Sequence, residues 1–171
     1  MPSAARCRAP ATARPPYGPG TFDLDGIQVT ADLVSHPGPT LGYRLEEAGR
    51  VLAYLPDHEP ALGMHNFPKN AEWTSGYDLA AGADLLIHDS QYTDEEYSQR
   101  IGWGHSSYSH VLAFAAMTGV GTLMTFHHDP DHNDDRLDRM VAQARILVKP
   151  PFTLVGGTEG ATFPFWSPDS R

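Results

Sequence analysis

Histidine and aspartate side chains occur along the chain at the ends of strand-like patterns, where metal ligands are often found. His36 and Asp57 each follow such a pattern, and the pair His127 and His128 follows a third. His105 comes just before a pattern typical of a helix. Side chains at the strand ends of an α/β sheet converge on one crevice, and zinc accepts imidazole nitrogens and carboxylate oxygens as ligands. The spacing therefore predicts a metal site at one edge of a sheet.

Each of these residues also has a structural explanation that involves no chemistry. His36 precedes Pro37 and fits a loop, and Asp57 fits the first position of a turn. The acidic stretch that follows His127 fits a solvated loop. The joint order of the residues, rather than any one of them, favours the metal site.

Apolar–polar alternation and short apolar runs predict the strands that would position these residues. A hairpin is predicted around Gly49, between two of the strands. The strands are expected at 27–34, 40–46, 50–55, 84–88, 121–126, 152–155 and 161–165.

Three helices are expected between these strands. Thr93 and Glu96 have the spacing of a capping box, which opens a short helix. A second helix precedes Gly119, a residue suited to end it. Asn133 is placed to cap a third, amphipathic helix that Pro150 ends. This order of elements predicts the α/β class, with helices covering one face of a mixed sheet.

Composition places the chain among single-domain globular proteins. It has 171 residues, 40% of them hydrophobic and 19% charged, which is enough to bury a core. We expect no membrane partner, because no apolar run is long enough to span a bilayer. One cysteine rules out an internal disulfide, and the absence of a secretory signal pattern favours a cytoplasmic protein. The net charge of −9 argues against a broad nucleic-acid-binding surface.

Residues 1–20 differ in composition from the rest of the chain. They are rich in Ala, Pro and Arg and show no apolar periodicity, so we expect them to be disordered. A misassigned start or an out-of-frame segment would explain them, and an Arg-rich organelle transit peptide is the alternative. Residues 21–171 are therefore expected to form the folded domain.

From about Ile27 to Phe165 the sequence resembles a known family of enzymes. The matching segments are HPGPTLGYRLEEAGRVLAYLPDHE, ADLLIHDSQYTDEE, GWGHSS, LMTFHHDP and EGATF. They resemble the C-terminal half of metallo-β-lactamase-fold hydrolases, in the branch of ribonuclease Z and the cyclic-nucleotide phosphodiesterases. The resemblance implies the C-terminal half of an αββα sandwich, in which helices cover a mixed sheet.

The resemblance also implies a role for each candidate residue. His36, Asp57 and His127 match the family's metal ligands, and Asp57 matches the one that bridges two metal ions. His105 matches a histidine that does not bind metal and lies near the scissile phosphate, where it would stabilise charge or donate a proton. His128 competes with His127 for the ligand role, and the register of LMTFHH favours His127. The residues expected to orient the ligands are His58, Glu59, His88, Asp89, His110 and His128. A surface role is the alternative for the first five of them.

The implied cofactor is zinc, with two ions in the complete fold, and manganese or iron are alternatives. Most of the family's ligands come from an HxHxDH motif, and nothing before His36 resembles it. The segment from His127 to His132 has the same spacing with Asp in place of the second His, but too few residues follow it to supply the downstream ligands. We therefore expect the isolated chain to be inactive or nearly so.

The family resemblance implies hydrolysis of a phosphodiester. The acidic charge favours a small phosphodiester over long nucleic acid as the substrate. A non-catalytic ligand-binding or regulatory module is the alternative, although the joint presence of the four site residues disfavours it. The sheet face that would meet the other half is expected to be apolar and exposed, and a homodimer through that face would cover it. Trp103 beside His105 suggests stacking on a base, but core packing is the expected role of this side chain.

Overall fold

The computed structural model describes residues 18–60, 63, 64 and 66–163. Most of the predicted leader and the end of the last predicted strand lie outside these residues. In the described part of the chain, seven strands form one mixed sheet whose spatial order is the chain order. The strands are β1 (Gly20–Leu24), β2 (Ile27–Val34), β3 (Thr40–Glu47), β4 (Arg50–Leu55), β5 (Leu85–Asp89), β6 (Thr122–Phe126) and β7 (Thr153–Gly156).

Strand pairing changes from antiparallel to parallel at β4. Strands β1 to β4 form an antiparallel meander, with a tight turn at Gly26 and another at Gly49, both with positive φ. Strands β4 to β7 pair in parallel. Because parallel strands run in the same direction, the C-terminal ends of β4, β5 and β6 lie at one edge of the sheet. The segments that follow these ends include Asp57 and His127.

Four α-helices and one 3-10 turn occur in the described residues. They are α1 (Tyr77–Ala80), α2 (Asp94–Tyr97), α3 (Tyr108–Thr118) and α4 (Asp134–Leu147), with the 3-10 turn at Ala71–Trp73. The predicted capping box of Thr93 and Glu96 opens α2. Gly119, in the left-handed conformation, ends α3, and Asn133 caps α4. None of these helices is long and apolar enough to cross a membrane.

The helix predictions and six of the seven strand predictions are confirmed to within a residue or two. The strand predicted at 161–165 is wrong over its described residues, because 161–163 are irregular. A turn at Gly160, closed by a hydrogen bond from Ala161 N–H to the Thr158 carbonyl, leads the chain away from pairing. Strand β1 and helix α1 were not predicted, since the sequence of β1, GTFDL, has no apolar run and α1 follows Gly76 without a side-chain cap.

The main core lies between the sheet and the helices. Ala53, Leu86 and Leu123 are neighbours in the register of β4, β5 and β6, and each is fully buried. They belong to one cluster with Val111 and Phe114 of α3, which are also fully buried. Full burial of each leucine, valine or phenylalanine side chain in this cluster stabilises the fold by about 1.5–3 kcal/mol. This layer fixes the strands whose ends carry the candidate residues.

The opposite face of the sheet carries apolar side chains that remain partly exposed. The register aligns Tyr43, Tyr54, Ile87, Met124 and Val155 in one row across five strands. None of these five belongs to the buried core cluster, and each keeps partial exposure. The structure thus confirms an α/β mixed sheet with its core on the helical side.

Candidate metal and catalytic site

Four side chains converge at the edge where β4, β5 and β6 end. Asp57 lies two residues after β4, Asp89 is the last residue of β5, and His127 directly follows β6. His105 comes from the loop that precedes α3. One ligand atom from each of the four lies within 4.8 Å of the ligand atoms of the others. The structure therefore brings together Asp57, His105 and His127, which were predicted as metal or catalytic residues. It adds Asp89, which was predicted to orient the ligands.

Asp89 is a fully buried carboxylate held by backbone donors. Its Oδ1 accepts from the N–H groups of Gln91 (3.1 Å) and Ser106 (3.3 Å), and its Oδ2 accepts from that of His58 (3.2 Å). Hydrogen bonds of this kind offset the cost of burying a charge. Oδ2 also lies 2.6 Å from Nδ1 of His105. The Asp89 carboxylate is thus fixed in place and directed at the imidazole.

His105 is oriented by Asp89. Because Asp89 accepts the Nδ1 proton, Nε2 is the ring atom left to act on another group. Burial lowers the pKa of His105, but the hydrogen bond and the charge of Asp89 outweigh burial and raise the pKa above its ordinary value. The ring stacks on His127, with centroids 5.0 Å apart and planes 9° from parallel.

His127 enters the site through an unusual backbone conformation. Its φ is 52°, in the left-handed region that residues other than glycine rarely adopt. Conformations of this kind are costly and cluster at functional sites. The ring places Nε2 3.1 Å from Oδ1 of Asp57 and Nδ1 3.9 Å from Oδ2 of Asp89. Nδ1 is buried and has no hydrogen-bond partner among the described residues.

His128 lies outside this cluster. It lines a cavity of about 850 Å³ beneath α4, together with Val141 and Gly156. Burial is the main cause that lowers the pKa of His128. Of the two adjacent histidines, His127 alone lies among the four clustered residues.

His36 lies beside the cluster but does not join it. Its ring meets that of His105 edge-on, with centroids 5.5 Å apart. Nδ1 accepts from Gly38 N–H at 3.2 Å and lies 3.0 Å from Thr40 Oγ1. The other edge of the ring packs on Gly104, where a Cβ atom would overlap the imidazole. His36 therefore contacts the four-residue cluster through His105.

A buried histidine pair lies beneath the site. His58 and His88 are fully buried, and Nδ1 of His58 is 2.9 Å from Nε2 of His88. His88 Nδ1 is 2.6 Å from the Asp89 carbonyl oxygen, so Nδ1 donates to it and Nε2 accepts from His58. Burial lowers the pKa of His88 to about 4 and also lowers that of His58. Both rings are therefore neutral near pH 7 and help to hold the end of β5.

The remaining predicted partners lie outside the cluster. Glu59 is fully buried next to the loop that carries His105. His110 is buried on α3, where its ring contacts those of Tyr97 and Phe67.

The alternative motif from His127 to His132 does not assemble a ligand set in the described residues. Asp129 accepts from the N–H of Asp131 and, through its carbonyl, from that of His132. The His132 side chain pairs with Glu96 at 3.0 Å. Only His127 of this motif belongs to the cluster, since the local turn directs the other side chains elsewhere.

The expectation that Trp103 packs in the core is wrong. Its side chain is 59% exposed. The N–H groups of Gly102 and Gly104, on either side of it, both point inwards to Glu59. The residue between them faces outwards in consequence.

The chain matches a family model and a curated relative. A family model described as "Beta-lactamase superfamily domain" matches residues 12–128, more than half of the chain, and this span contains all four clustered residues. The chain belongs to the beta-lactamase superfamily. One curated superfamily relative, the ribonuclease Z of Mycolicibacterium paratuberculosis, is 31% identical over 117 residues, covering 64% of this chain and 38% of the relative. The chain thus spans well under half of that relative's length.

Solved structures of other proteins share the fold. Human tRNase Z, short form, matches with a TM-score of 0.60 and 18% identity over 85% of this chain and 46% of that one. Zn(2+)-bound PqqB from Methylobacterium extorquens matches with a TM-score of 0.55 and 24% identity over 85% of this chain and 50% of that one. At these identities the likeness shows the fold, and the matched region is about half of each larger structure.

The clustered side chains are suited to a divalent metal ion. They offer two imidazoles and two carboxylates, the donor types that zinc, manganese and iron accept. Nδ1 of His127 is buried and has no hydrogen-bond partner among the described residues. This is expected of a ligand atom that is directed towards a metal ion.

Proposed function

We propose that this superfamily member is a metal-dependent hydrolase that acts on phosphodiesters. The proposal rests on two carboxylates and two imidazoles whose ligand atoms lie within 4.8 Å of one another. They lie where the parallel strands β4, β5 and β6 end. A matched relative is named ribonuclease Z, which favours a phosphodiester as the bond that is cleaved. Zinc is the proposed cofactor, with manganese or iron as alternatives, because the donors are imidazole and carboxylate.

We assign the metal-holding role to Asp57 and His127, with His36 as a further ligand on the strength of the family resemblance. When bound, the metal would supply a water activated for attack and positive charge opposite the phosphate oxygens. Asp57, whose side chain is about one third exposed, would hold the metal through its carboxylate. Asp89 is directed at His105, so its proposed role is to orient that ring.

His105 is the proposed general acid. With Nδ1 held by Asp89, the protonated ring donates from Nε2 to the leaving oxygen as the phosphorus–oxygen bond breaks. The raised pKa of His105 keeps a larger share of the ring protonated near neutral pH. A neutral imidazole with Nε2 unprotonated would lack the proton that the leaving oxygen needs.

The isolated chain is proposed to be nearly inactive. Among the described residues the cluster supplies four donors, and two of them, Asp89 and His105, bond to each other. The ligands that remain are too few for two well-held ions. We therefore expect activity to depend on residues beyond this four-residue cluster.

The substrate is proposed to be a small phosphodiester. A net charge of −9 disfavours binding of a polyanion, whereas bound cations would attract one phosphate locally. Competition binding with bis(p-nitrophenyl) phosphate and a short RNA hairpin tests this preference. Tighter binding of the RNA, weakening steeply with salt, would contradict it.

The function is tested by zinc-dependent binding of bis(p-nitrophenyl) phosphate to the purified chain. Asp57→Asn is expected to abolish that binding, and Asp129→Asn, two residues beyond His127 and outside the cluster, is expected to retain it. Any slow release of p-nitrophenolate must follow the same pattern. Diester binding that does not require a metal would favour the ligand-binding module and count against a hydrolase.

A further inference from the structure

Glu59 is a buried carboxylate for which the proposed chemistry has no use. It is fully buried, and none of the ion pairs among the described residues includes it. Its Oε1 accepts from the Tyr97 hydroxyl at 2.6 Å and from Gly102 N–H at 2.9 Å, and its Oε2 accepts from Gly104 N–H at 2.8 Å. A buried carboxylate is costly unless donors surround it, so this arrangement calls for an explanation.

The donors belong to the loop that carries His105. Gly102 and Gly104 have φ of 86° and 93°, a conformation that favours glycine and turns both N–H groups towards the same carboxylate. The N–H of Trp103 between them donates to the Arg100 carbonyl instead. Glu59 is the acceptor that both glycine N–H groups share among the described residues, so it fixes the loop directly before His105.

Glu59 also links this loop to the segment before His36. Its own N–H donates to the Ser35 carbonyl at 3.0 Å. Gly104, held by the Glu59 carboxylate, packs against the His36 ring. Glu59 therefore links the two segments, through its backbone N–H to the one before His36 and through its carboxylate to the one before His105.

The neighbours of Glu59 reinforce the same connection. The His58 N–H donates to Asp89, and the His58 carbonyl accepts from Ser106 Oγ at 2.7 Å. The segment that begins with the proposed ligand Asp57 is thus bonded to β5 and to both ends of the His105 segment. The hydrogen bonds between this segment and the loop before His105 end on the Glu59 side chain. A single substitution at Glu59 can therefore remove them.

From this geometry we infer that Glu59 is a positioning residue: it fixes the Gly102–His105 segment so that the His105 ring meets Asp89 and the proposed metal site. It acts through the backbone of Gly102 and Gly104 and touches neither substrate nor metal. The inference rests on the proposed function insofar as His105 acts at that site. The anchoring of the loop is a property of the chain itself and can be measured without metal.

The test compares Glu59→Gln with Tyr97→Phe in the full chain without metal. The glutamine side chain would keep the shape of the glutamate but replace one oxygen with an amide NH2. Gly102 N–H, which lies 2.9 and 3.1 Å from the two carboxylate oxygens, then keeps one acceptor at most and faces a donor, and the negative charge that holds both glycine N–H groups is lost. Tyr97→Phe removes a donor to the same carboxylate and leaves both glycine hydrogen bonds. Hydrogen exchange at Gly102 and Gly104, and the NMR signal of the His105 Nδ1 proton, report the loop and the ring separately.

We expect Glu59→Gln to speed exchange at Gly102 and Gly104 by roughly tenfold or more and to shift or broaden the His105 Nδ1 signal. Tyr97→Phe is expected to leave the His105 signal in place, and amides of β5 should exchange at the wild-type rate in both variants. Unchanged exchange at both glycines, or equally faster exchange throughout the sheet, would overturn the positioning role. If Glu59→Gln does not fold, Glu59→Asp takes its place under the same criteria.

A zinc titration of the wild-type chain is read separately from this comparison. Failure of the wild-type chain to bind zinc would remove the proposed metal site. Failure of Glu59→Gln to alter the loop would remove the positioning role. The two outcomes come from different samples and different signals, so neither can be mistaken for the other.

Discussion

At the scale of single residues, the hydrogen bond between Asp89 and His105 decides what the imidazole can do. It fixes the ring orientation, assigns the Nδ1 proton and raises the pKa against the effect of burial. The same carboxylate is held by three backbone N–H groups, so it cannot turn away from the ring without losing them. The chemistry proposed for His105 therefore depends on a residue that belongs to the end of β5.

The raised pKa of His105 predicts a pH-dependent contribution to stability. A folded-state pKa above the unfolded value gives stability that is complete below the unfolded pKa and is lost as pH rises through the folded pKa. His105→Gln is thus expected to lower the free energy of unfolding, relative to wild type. The decrease should be larger below about pH 6.5 than above the folded-state pKa of His105. Urea unfolding measures the difference.

His88, with a folded-state pKa of about 4, takes up a proton on unfolding between about pH 4 and 6.5. Because wild type and His105→Gln share this residue, its contribution is removed by comparing the two proteins at each pH. A cost of His105→Gln that does not vary with pH would contradict the assignment of the Asp89 hydrogen bond as the dominant raising influence.

The sequence predicts three of the four clustered residues because each lies at the end of an element. Asp89 was expected only to orient ligands, since its place in the cluster depends on the alternation of side chains along β5, which puts Asp89 and His88 on opposite faces. That alternation was readable in the sequence and is the signal that would have found it. The position of His36 was not readable, because local hydrogen bonds to Gly38 and Thr40 direct its ring.

At the scale of elements, periodicity and capping residues predicted most of the sheet and helices. Thr93, Asn133 and Gly119 mark helix ends through their own hydrogen-bonding or backbone preferences, so local sequence is sufficient to identify them. The sheet order and the side on which the core lies arise from contacts between distant segments. The family resemblance and the α/β pattern predicted a mixed sheet with helices on one face, whereas the strand order was not predicted.

Glu96 joins two elements and should stabilise the protein in a pH-dependent way. Its carboxylate accepts from Thr93 in the capping box and bonds His132 and Arg136 across to the start of α4. Burial raises the pKa of Glu96, but the hydrogen bonds from His132 and Thr93 prevail and lower it to about 2. The stabilisation is therefore present above the unfolded-state pKa and is lost as pH falls towards 2.

Glu96→Gln is accordingly expected to lower the free energy of unfolding by about 1–2 kcal/mol at neutral pH and by progressively less in acid. Glu95→Gln, an exposed neighbour on the same helix, is the matched control and should change little. Equal effects of the two substitutions would contradict this account of α2.

Phe114 connects the core to the histidine pair beneath the site. It is fully buried, and its ring contacts those of His58 and His88. Phe114→Ala should lower the free energy of unfolding by about 3–5 kcal/mol. Leu147→Ala on α4, where the side chain is 79% exposed, should change it by less than about 0.5 kcal/mol. A small effect at Phe114, measured by urea unfolding, would mean that the helical layer does not support the end of β5.

At the scale of the whole molecule, the core lies on one side of the sheet and apolar side chains remain partly exposed on the other. We propose that two copies of the chain pair through the row that contains Tyr54, Ile87 and Met124. Sedimentation equilibrium should then show a dimer, and Met124→Lys, which places a charge in the middle of that row, should give a monomer. The Lys149→Met control adds an apolar side chain at an exposed site and should not change the state of association. A wild-type monomer at all concentrations would contradict the proposal.

Asp57 and His127 are proposed to hold a metal ion beside the hydrogen-bonded pair of Asp89 and His105, and calorimetric titration with zinc is the decisive test of this site. His127→Ala and His128→Ala remove adjacent imidazoles of which only that of His127 belongs to the cluster, so the pair separates a ligand from a neighbour. We expect zinc to bind the wild-type chain and His128→Ala with similar affinity. His127→Ala is expected to weaken zinc binding at least about tenfold, since it removes one ligand. Equal zinc binding by the wild-type chain and His127→Ala, or loss of binding only in His128→Ala, would contradict the proposed site.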